Sequence, residues 1–266
     1  LEELVSLRPS QNMAVGERSA LLAHHWLRAE EWERALKYTL EAAERARTLF
    51  ARPEAINHYW QALALLARLP VTSERSHIHC DVLMSMVLLP GWRRDEGSQS
   101  DLVHHLDRAM RNAIEAGETA RLANLEAIKG AIRDDRALFE SAIARAKSSG
   151  DKSAIAFCAH FYGDNLGVHG QFEASLEHFA RAVEILGTQG DQLRQALIMS
   201  SGGRCYNARA GKIDQALFFA NRVREAADAL GNAELRAWCS MNAEPYYYRG
   251  LWSEAVLAAE GSLPVA

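Results

Sequence analysis

The fold is decided by the heptapeptide GQFEASL at residues 170–176 and by its recurrence along the chain. The same pattern returns as GKIDQAL at 211–217 and as GLWSEAV at 250–256, at spacings of 41 and 39 residues. A further copy, EEWERAL at 30–36, has Glu where the others have Gly. Self-similarity at a period of about 20 to 50 residues indicates stacked copies of one supersecondary unit. The chain is therefore expected to be a repeat protein.

A second recurring dipeptide lies between these copies. It reads Gly150-Asp151, Gly190-Asp191 and Gly231-Asn232, and Gly117-Glu118 resembles it. A Gly just past a helix adopts the left-handed conformation at little steric cost. The Asp or Asn that follows can accept a backbone N–H of the next helix with its side chain. Each dipeptide therefore predicts a helix end followed at once by a helix start.

The composition favours an all-α fold. Ala occurs 45 times and Leu 32 times among 266 residues, whereas Val, Ile and Thr together occur 26 times. Ala and Leu are strong helix formers and sheets are enriched in β-branched residues, so this composition disfavours a β-sandwich, a barrel or a βαβ enzyme. Apolar residues between Phe172 and Leu186 recur at steps of three and four, which is typical of amphipathic helices. Small residues such as Gly163, Ala174 and Ala182 would let two antiparallel helices approach closely.

One unit resembles the tetratricopeptide repeat (TPR) at its signature positions, which are Tyr162, Gly163, Leu166, Gly170, Phe172, Ser175, Phe179 and Ala182. The resemblance implies an all-α, TPR-like α-solenoid of stacked antiparallel helical hairpins in a right-handed superhelix. The period near 40 exceeds the usual length of about 34, so longer helices are expected. We expect a lead-in segment at 1–16 and a helical repeat domain at 17–266 with a truncated last repeat. Residues 90–99 form either an insertion or a seam between two subarrays.

A narrower resemblance covers residues 17 to 120 and is carried by LAHHWLRA at 22–29, WERALKY at 32–38 and YWQALALLARLP at 59–70. These stretches look like the C-terminal region of bacterial class III adenylate cyclases fused to an AAA/STAND-type ATPase. The resemblance implies a non-catalytic protein-interaction and regulatory module of a larger signalling protein, an adenylate or guanylate cyclase with an ATPase module. The alternative is the inducer-sensing helical-repeat arm of an ATPase-type, LuxR-like transcriptional regulator.

Charge, hydropathy and cysteine usage exclude several classes. A net charge of −4 gives no field that favours nucleic acid or an anionic membrane. The longest apolar run, Val82 to Leu89, is far shorter than the roughly 20 residues of a membrane span. Four scattered cysteines fit a reducing compartment, so we expect a cytoplasmic protein. We expect no cofactor and no metal, and no enzymatic activity in this stretch of chain, although the resemblance implies a cyclase as the parent.

Two short clusters invite a chemical interpretation, but a structural one is favoured for each. His77 and His79 are two residues apart and point to opposite sides of a helix, so they cannot chelate one ion. We expect these histidines to be solvated beside a buried Cys80. The sequence Gly202-Gly203-Arg204 lacks the spacing of a phosphate-binding loop, and close helix packing is the simpler interpretation.

The remaining candidate is a binding surface. In a TPR-like array the first helix of each hairpin lines the concave groove, and the resemblance places nine of this chain's residues there: His24, Arg28, His160, Asp164, Cys205, Arg209, Glu244, Tyr247 and Tyr248. We expect a protein or peptide, or another domain of the same chain, to bind in this groove. The truncated last repeat would offer a surface for self-association. Nucleic acid and membranes are not expected partners.

Overall fold

The computed structural model describes residues 15–49, 51–89, 96–232, 235–236, 239 and 243–260. Within these residues the backbone is helical apart from turns and caps, and none of them is in a strand. The chain divides into two compact units, Leu1–Glu118 and Thr119–Ala266. The prediction of an all-α fold is therefore confirmed for the described part of the chain.

The described part of the first unit is a succession of helices joined by short connections. In chain order they are α1 (Val15–Arg28), α2 (Trp32–Thr48), α3 (Arg52–Arg68), α4 (Ser73–Val87) and α5 (Glu96–Glu115). Neighbours in the sequence pack side by side, most extensively α1 on α2 and α2 on α3. Because three residues separate the helices of each of these two pairs, each pair runs antiparallel as a hairpin.

The second unit repeats the same arrangement. Its helices are α6 (Thr119–Arg133), α7 (Arg136–Ser149), α8 (Lys152–Val168), α9 (Phe172–Gln189), α10 (Gln192–Ile198), α11 (Asn207–Arg209), α12 (Ile213–Leu230), α13 (Ala243–Tyr248) and α14 (Trp252–Glu260). A π-helical segment, Met199–Tyr206, joins α10 to α11 without a break. The most extensive packing is within the hairpins α6–α7 and α8–α9. The TPR-like array of helical hairpins that the sequence predicted is therefore present.

The hairpin turns have the backbone geometry that the glycines predicted. Gly150, Gly190 and Gly231 have φ values of 69°, 74° and 59°, in the left-handed region. Gly170 and Gly211, which open two copies of the heptapeptide, have φ values of 77° and 75°. A residue without Cβ adopts this conformation at little cost. At these turns glycine therefore allows one helix to end and the next to return within a few residues, whereas Glu30 and Asp134 adopt the same conformation at two other turns, with φ values of 59° and 54°.

The cap residues after these glycines also behave as predicted. Asp151 Oδ1 accepts from the backbone N–H of Ala154 at 2.9 Å, and Asp191 Oδ1 accepts from Arg194 at 3.0 Å. Asn232 Oδ1 accepts from the backbone N–H of Leu235 at 2.8 Å. Each bond satisfies a donor that the first turn of a helix leaves free.

Alanines occupy the places where paired helices touch. Those completely excluded from solvent include Ala35, Ala43, Ala55, Ala62, Ala123, Ala127, Ala142, Ala146, Ala156, Ala159, Ala182, Ala196, Ala216 and Ala227. Larger side chains fill the space beside them. In one cluster Phe179, Leu186, Ile198 and Tyr206 pack around Ala156, Ala159 and Ala182. The surplus of alanine is thus a packing requirement as well as a helix propensity, because small residues set a short interaxial distance.

Two local features differ from what the sequence indicated. Residues 192–209 are helical, but the centre of this stretch is π-helical, which apolar periodicity did not indicate. His79 was expected to be solvated and is instead 3% exposed, whereas Cys80 is buried as expected. The lead-in segment at 1–16 and the seam at 90–99 fall mostly outside the described residues and stay predictions. No described helix combines the length and apolarity needed to cross a membrane.

We predict that Gly202→Ala will destabilise the second unit by about 2 to 3 kcal/mol, because overpacking a tight interior site has this typical cost. A Cβ at this position would lie 2.3 Å from the Phe179 ring. The matched control is Gly187→Ala, whose Cβ would approach only the amide end of the flexible Gln195 side chain, which donates to the Val183 carbonyl. Urea unfolding of both variants measures the difference, and equal stability of the two would contradict the packing argument.

Candidate functional site: the ladder face

Two polar links join the first helices of successive hairpins in the second unit. The Tyr206 hydroxyl donates to Asp164 Oδ1 at 3.0 Å and lies 3.2 Å from the Asp164 carbonyl oxygen. Arg204 Nη1 donates to Glu244 Oε2 at 3.0 Å. Asp164, Arg204 and Glu244 follow one another at intervals of 40 residues, so they occupy equivalent positions in consecutive repeats. We call these two links the polar ladder and the surface that carries them the ladder face.

Most of the site residues predicted in this unit lie on the ladder face. Cys205 is within electrostatic reach of Asp164, Arg209 and Glu244. His160 is within reach of Asp164 as well, one helical turn away. The predicted residues from α8, the π segment, α11 and α13 are therefore neighbours in space.

The two predicted tyrosines lie at the α13 end of this surface. Tyr248 is half-exposed and its hydroxyl is 3.5 Å from Glu244 Oε1. Tyr247 is also half-exposed and contacts the Trp252 ring edge-to-face, with centroids 4.8 Å apart. These rings extend the ladder face with apolar area that carries a polar tip, a combination enriched at protein interfaces.

His24 and Arg28 belong to the first unit. Both are exposed on α1, one turn apart and therefore on the same side of that helix. The His24 ring contacts the neighbouring His25 ring edge-to-face, with centroids 5.9 Å apart. The structure thus brings together the predicted residues of the second unit, and it places these two on a separate unit.

The π segment explains how the ladder residues reach their positions. The interval from Gly190 to Gly211 is 21 residues, whereas the equivalent interval from Gly150 to Gly170 is 20. The wider π turn absorbs one extra residue, so both glycines still fall at hairpin turns. Two side chains bond carbonyl groups one turn back: Ser201 Oγ donates to the Leu197 carbonyl at 3.2 Å, and Asn207 Nδ2 donates to the Gly203 carbonyl at 2.5 Å. Such π turns occur frequently at functional sites.

Glycines hold the π segment close to its neighbours. A Cβ at Gly202 would lie 2.3 Å from the Phe179 ring, and one at Gly203 would lie 2.7 Å from the Phe219 ring. On α8, a Cβ at Gly167 would lie 2.4 Å from the Tyr206 ring. The interpretation of the Gly202-Gly203 pair as a close-packing element, which was made from the sequence, agrees with these distances.

Burial controls the protonation of the polar groups here. Desolvation raises the pKa of the Cys205 thiol, and Arg209 opposes this effect while Glu244 adds to it. Desolvation raises the pKa of Tyr206 above its ordinary value, and the nearby Asp164 carboxylate adds to this effect. Both groups are therefore protonated at neutral pH, and Cys205 is not a thiolate nucleophile.

His160 is uncharged at neutral pH. Its ring contacts Phe161 and Phe179, with centroids 5.4 Å and 6.0 Å away. Burial lowers the pKa of His160 from 6.5 to about 4, and the Asp164 carboxylate only partly opposes this effect. Arg194, on the first helix of the next hairpin, lowers the pKa of His160 further. The ladder face thus presents a neutral imidazole between an acid and a guanidinium.

Three residues that contribute to this site were not predicted from the sequence: Arg194, Arg204 and Tyr206. Arg204 is 3% exposed and Tyr206 is 5% exposed, so both are buried structural links. The spacing of 40 residues between Asp164, Arg204 and Glu244 could have indicated the second link. When equivalent positions in successive repeats hold an acidic, a basic and an acidic residue, opposite charges lie on adjacent hairpins and can form ion pairs.

Other clusters of polar residues are structural. In the first unit His77 Nε2 contacts Glu118 Oε1, and Asn112 Nδ2 donates to Ser76 Oγ at 3.2 Å. Desolvation lowers the pKa of buried His79 to about 3, and His105 and Arg108 lower it further. The part of the chain that the structure describes contains no group of three His, Cys, Asp or Glu residues that could hold a metal ion.

Comparison with known proteins gives distant structural similarity only. No family model and no curated protein matches the sequence. A Signal Transduction ATPase with Numerous Domains (STAND) protein with a tetratricopeptide repeat sensor, from Pyrococcus horikoshii, matches 93% of this chain at 14% identity and a TM-score of 0.46. This chain spans 35% of the length of that protein. BtubC (BKLC) from P. vanneervenii matches 94% of this chain at 14% identity and a TM-score of 0.45. The match covers 90% of the length of BtubC.

We predict that Tyr206→Phe will lower the free energy of unfolding by about 1 to 2 kcal/mol, because the Asp164 carboxylate loses its internal donor. The control is Tyr248→Phe, which removes a hydroxyl that is exposed and 3.5 Å from Glu244. Chemical denaturation of the two variants is the measurement. A loss of equal size in both would show that the ladder bond contributes nothing specific.

We predict that part of the acid sensitivity of the fold comes from His160. The unfolded chain binds a proton near pH 6.5 and the folded chain does so near pH 4, so stability is lost as the pH falls between these values. Between pH 7 and pH 4.5 the wild type should lose about 2 kcal/mol more than His160→Gln. Urea titrations at the two pH values measure both losses, and parallel losses would refute the assignment.

Proposed function

We propose that this chain is a non-catalytic, TPR-like protein-interaction module that regulates a larger bacterial signalling protein, an adenylate or guanylate cyclase with an ATPase module. The observation that carries the proposal is the polar ladder, which links the first helices of three successive repeats along one surface. The cyclase assignment is supported by the resemblance of residues 17 to 120. The module would work in the cytoplasm, where the free thiols of its cysteines stay reduced.

The chemistry of the ladder face supports recognition rather than catalysis. The thiol of Cys205 is protonated, and the neighbouring Ser201 hydroxyl donates to a main-chain carbonyl. Neither group is therefore presented as an activated nucleophile, which needs a base within hydrogen-bond reach. Half-exposed Tyr247 and Tyr248 and the exposed Arg209 are instead residue types that are enriched at the energetic centres of protein interfaces.

The ladder also supports a mechanism for regulation. Each hairpin in such an array contacts only its neighbours, so a shift in one hairpin is passed along the array. The Asp164–Tyr206 and Arg204–Glu244 links cross two successive hairpin boundaries. A partner that binds between them would change the spacing of three repeats at once, and an attached output domain would respond to that change.

A second candidate is the inducer-sensing arm of an ATPase-type, LuxR-like regulator. It is favoured by a cavity of about 470 Å³ in the second unit, lined by residues that include Arg224, Arg236, Tyr246 and Glu254. This volume lies within the range of small-molecule pockets. Self-association through the half-exposed Trp252 and Val256 of α14 also stays a prediction.

The proposal predicts that a protein partner contacts the ladder face. A photo-crosslinking amino acid placed at Tyr248 should give a discrete protein adduct in cells that make the parent protein, with mass spectrometry identifying the partner. The matched control is the same substitution at Phe218, which is equally exposed on α12. Adducts of equal yield from both positions, or none from Tyr248, would refute a ladder-face partner. A saturable thermal shift with a small metabolite would favour the inducer-sensing candidate.

A further inference from the structure

The cavity of about 470 Å³ in the second unit lies where one repeat has smaller side chains than the repeat before it. Ala220 aligns with Phe179, which is 41 positions earlier, and Cys239 aligns in the same way with Ile198. Phe179 and Ile198 pack together in one apolar cluster. Ala220 and Cys239 instead line the cavity. The side chains that fill the preceding repeat therefore have shorter counterparts here.

A contact that recurs in both repeats supports this alignment. In the preceding repeat the Gln195 side chain lies against Gly187, with its Nε2 2.8 Å from the place of a Cβ. The residues 41 positions later are Arg236 and Asp228, and Arg236 Nη2 donates to Asp228 Oδ1 at 2.8 Å. Both residues line the cavity. The same pair of positions thus meets in both repeats, and here it forms an ion pair.

One further cation and one further carboxylate line the cavity. Arg224, on α12, aligns with the apolar Val183, and its Nη2 donates to the neutral Asn221 Oδ1 at 3.3 Å. Glu254 lies on α14. Within the described part of the chain neither Arg224 nor Glu254 makes an ion pair. Both side chains are exposed, so a ligand can reach them from solvent.

The rest of the described lining includes apolar and aromatic groups. Tyr246 is half-buried and lines the cavity together with Ala220. In the preceding repeat Phe179 stacks near the Tyr206 ring, with centroids 5.7 Å apart. Tyr246 has no such ring beside it among the described residues, because Ala220 is at the position of Phe179. An aromatic group of a ligand can supply the second ring.

We propose that this cavity binds an aromatic α-amino acid in its zwitterionic form. Arg224 binds the ligand carboxylate, Glu254 binds the ligand ammonium, and the aromatic side chain packs beside Tyr246. This inference rests on the second candidate function, the inducer-sensing arm, and it names the chemical class of the inducer.

The charge balance of the cavity favours a zwitterion over a ligand with a single charge. The four charged side chains of its described lining carry no net charge, and they are Arg224, Arg236, Asp228 and Glu254. A lone anion would gain Arg224 but would also face the two carboxylates of the same lining. A lone cation would face the two guanidinium groups. A zwitterion places one opposite charge at each unpaired side chain.

The test measures binding of L-phenylalanine to the whole chain by isothermal titration calorimetry at neutral pH and low ionic strength. Two analogues each lack one charge: 3-phenylpropionate has no ammonium, and phenethylamine has no carboxylate. We expect saturable binding of L-phenylalanine, and about fivefold or more weaker binding of each analogue, because each loses one charge-assisted hydrogen bond. L-Alanine keeps both charges but lacks the ring, so it should also bind more weakly.

Variants assign each charge to its side chain. Arg224→Gln should weaken L-phenylalanine binding by about fivefold and should no longer distinguish it from phenethylamine. Glu254→Gln should no longer distinguish it from 3-phenylpropionate. The matched controls are Arg222→Gln and Glu225→Gln, which change exposed residues of α12 outside the described lining and should leave binding unchanged. Thermal unfolding of each variant checks that the fold is retained.

Several results would overturn the inference. They are absence of L-phenylalanine binding, equal binding of either analogue or of L-alanine, and equal weakening by the control variants. A saturable thermal shift with another metabolite, without L-phenylalanine binding, would reject the aromatic zwitterion but retain the inducer-sensing candidate. Binding with the expected variant dependence, but without any effect on the activity of the parent protein, would retain the site and reject its role as an inducer site.

Discussion

The contact of the Tyr206 ring with Gly167 is the interaction on which the second unit depends. The ring occupies the space where any side chain at Gly167 would lie, since a Cβ there would be 2.4 Å away. It also stacks near Phe179, with centroids 5.7 Å apart, and its hydroxyl reaches Asp164. One side chain thus joins the apolar core between two hairpins to the polar surface beside it. The packing of the core and the polar link to Asp164 are therefore coupled at this point.

Tyr206 is the last residue of the π segment, so this contact depends on an irregular stretch of helix. A π turn has poorer backbone geometry than an α turn and persists where neighbouring contacts stabilise it. Here those contacts are side-chain bonds to the Leu197 and Gly203 carbonyls and the close approach of Gly202 to Phe179. The π turn accommodates the extra residue between Gly190 and Gly211, so both glycines still fall at hairpin turns.

Burial then decides which groups of the ladder face are charged. It keeps His160 neutral and Cys205 protonated, and it leaves the arginines as cations because their intrinsic pKa is far above neutrality. The carboxylates of Asp164 and Glu244 are used internally. A surface of this kind has strong directional donors and no activated nucleophile. This chemistry is in line with the interaction module that we propose.

The sequence by itself determined the helices, the hairpin turns and the small residues at their contacts. These features are local: a glycine at positive φ, an Asp that caps the next helix and a period of three to four residues each act within a few positions. It also identified His160, Asp164, Cys205, Arg209 and Glu244 as candidates, through their places in the repeat. Only the tertiary structure decided that Arg204 and Tyr206 link adjacent hairpins and that His160 is desolvated. The physical reason is that burial and pairing depend on residues about 40 positions away, which local periodicity does not register.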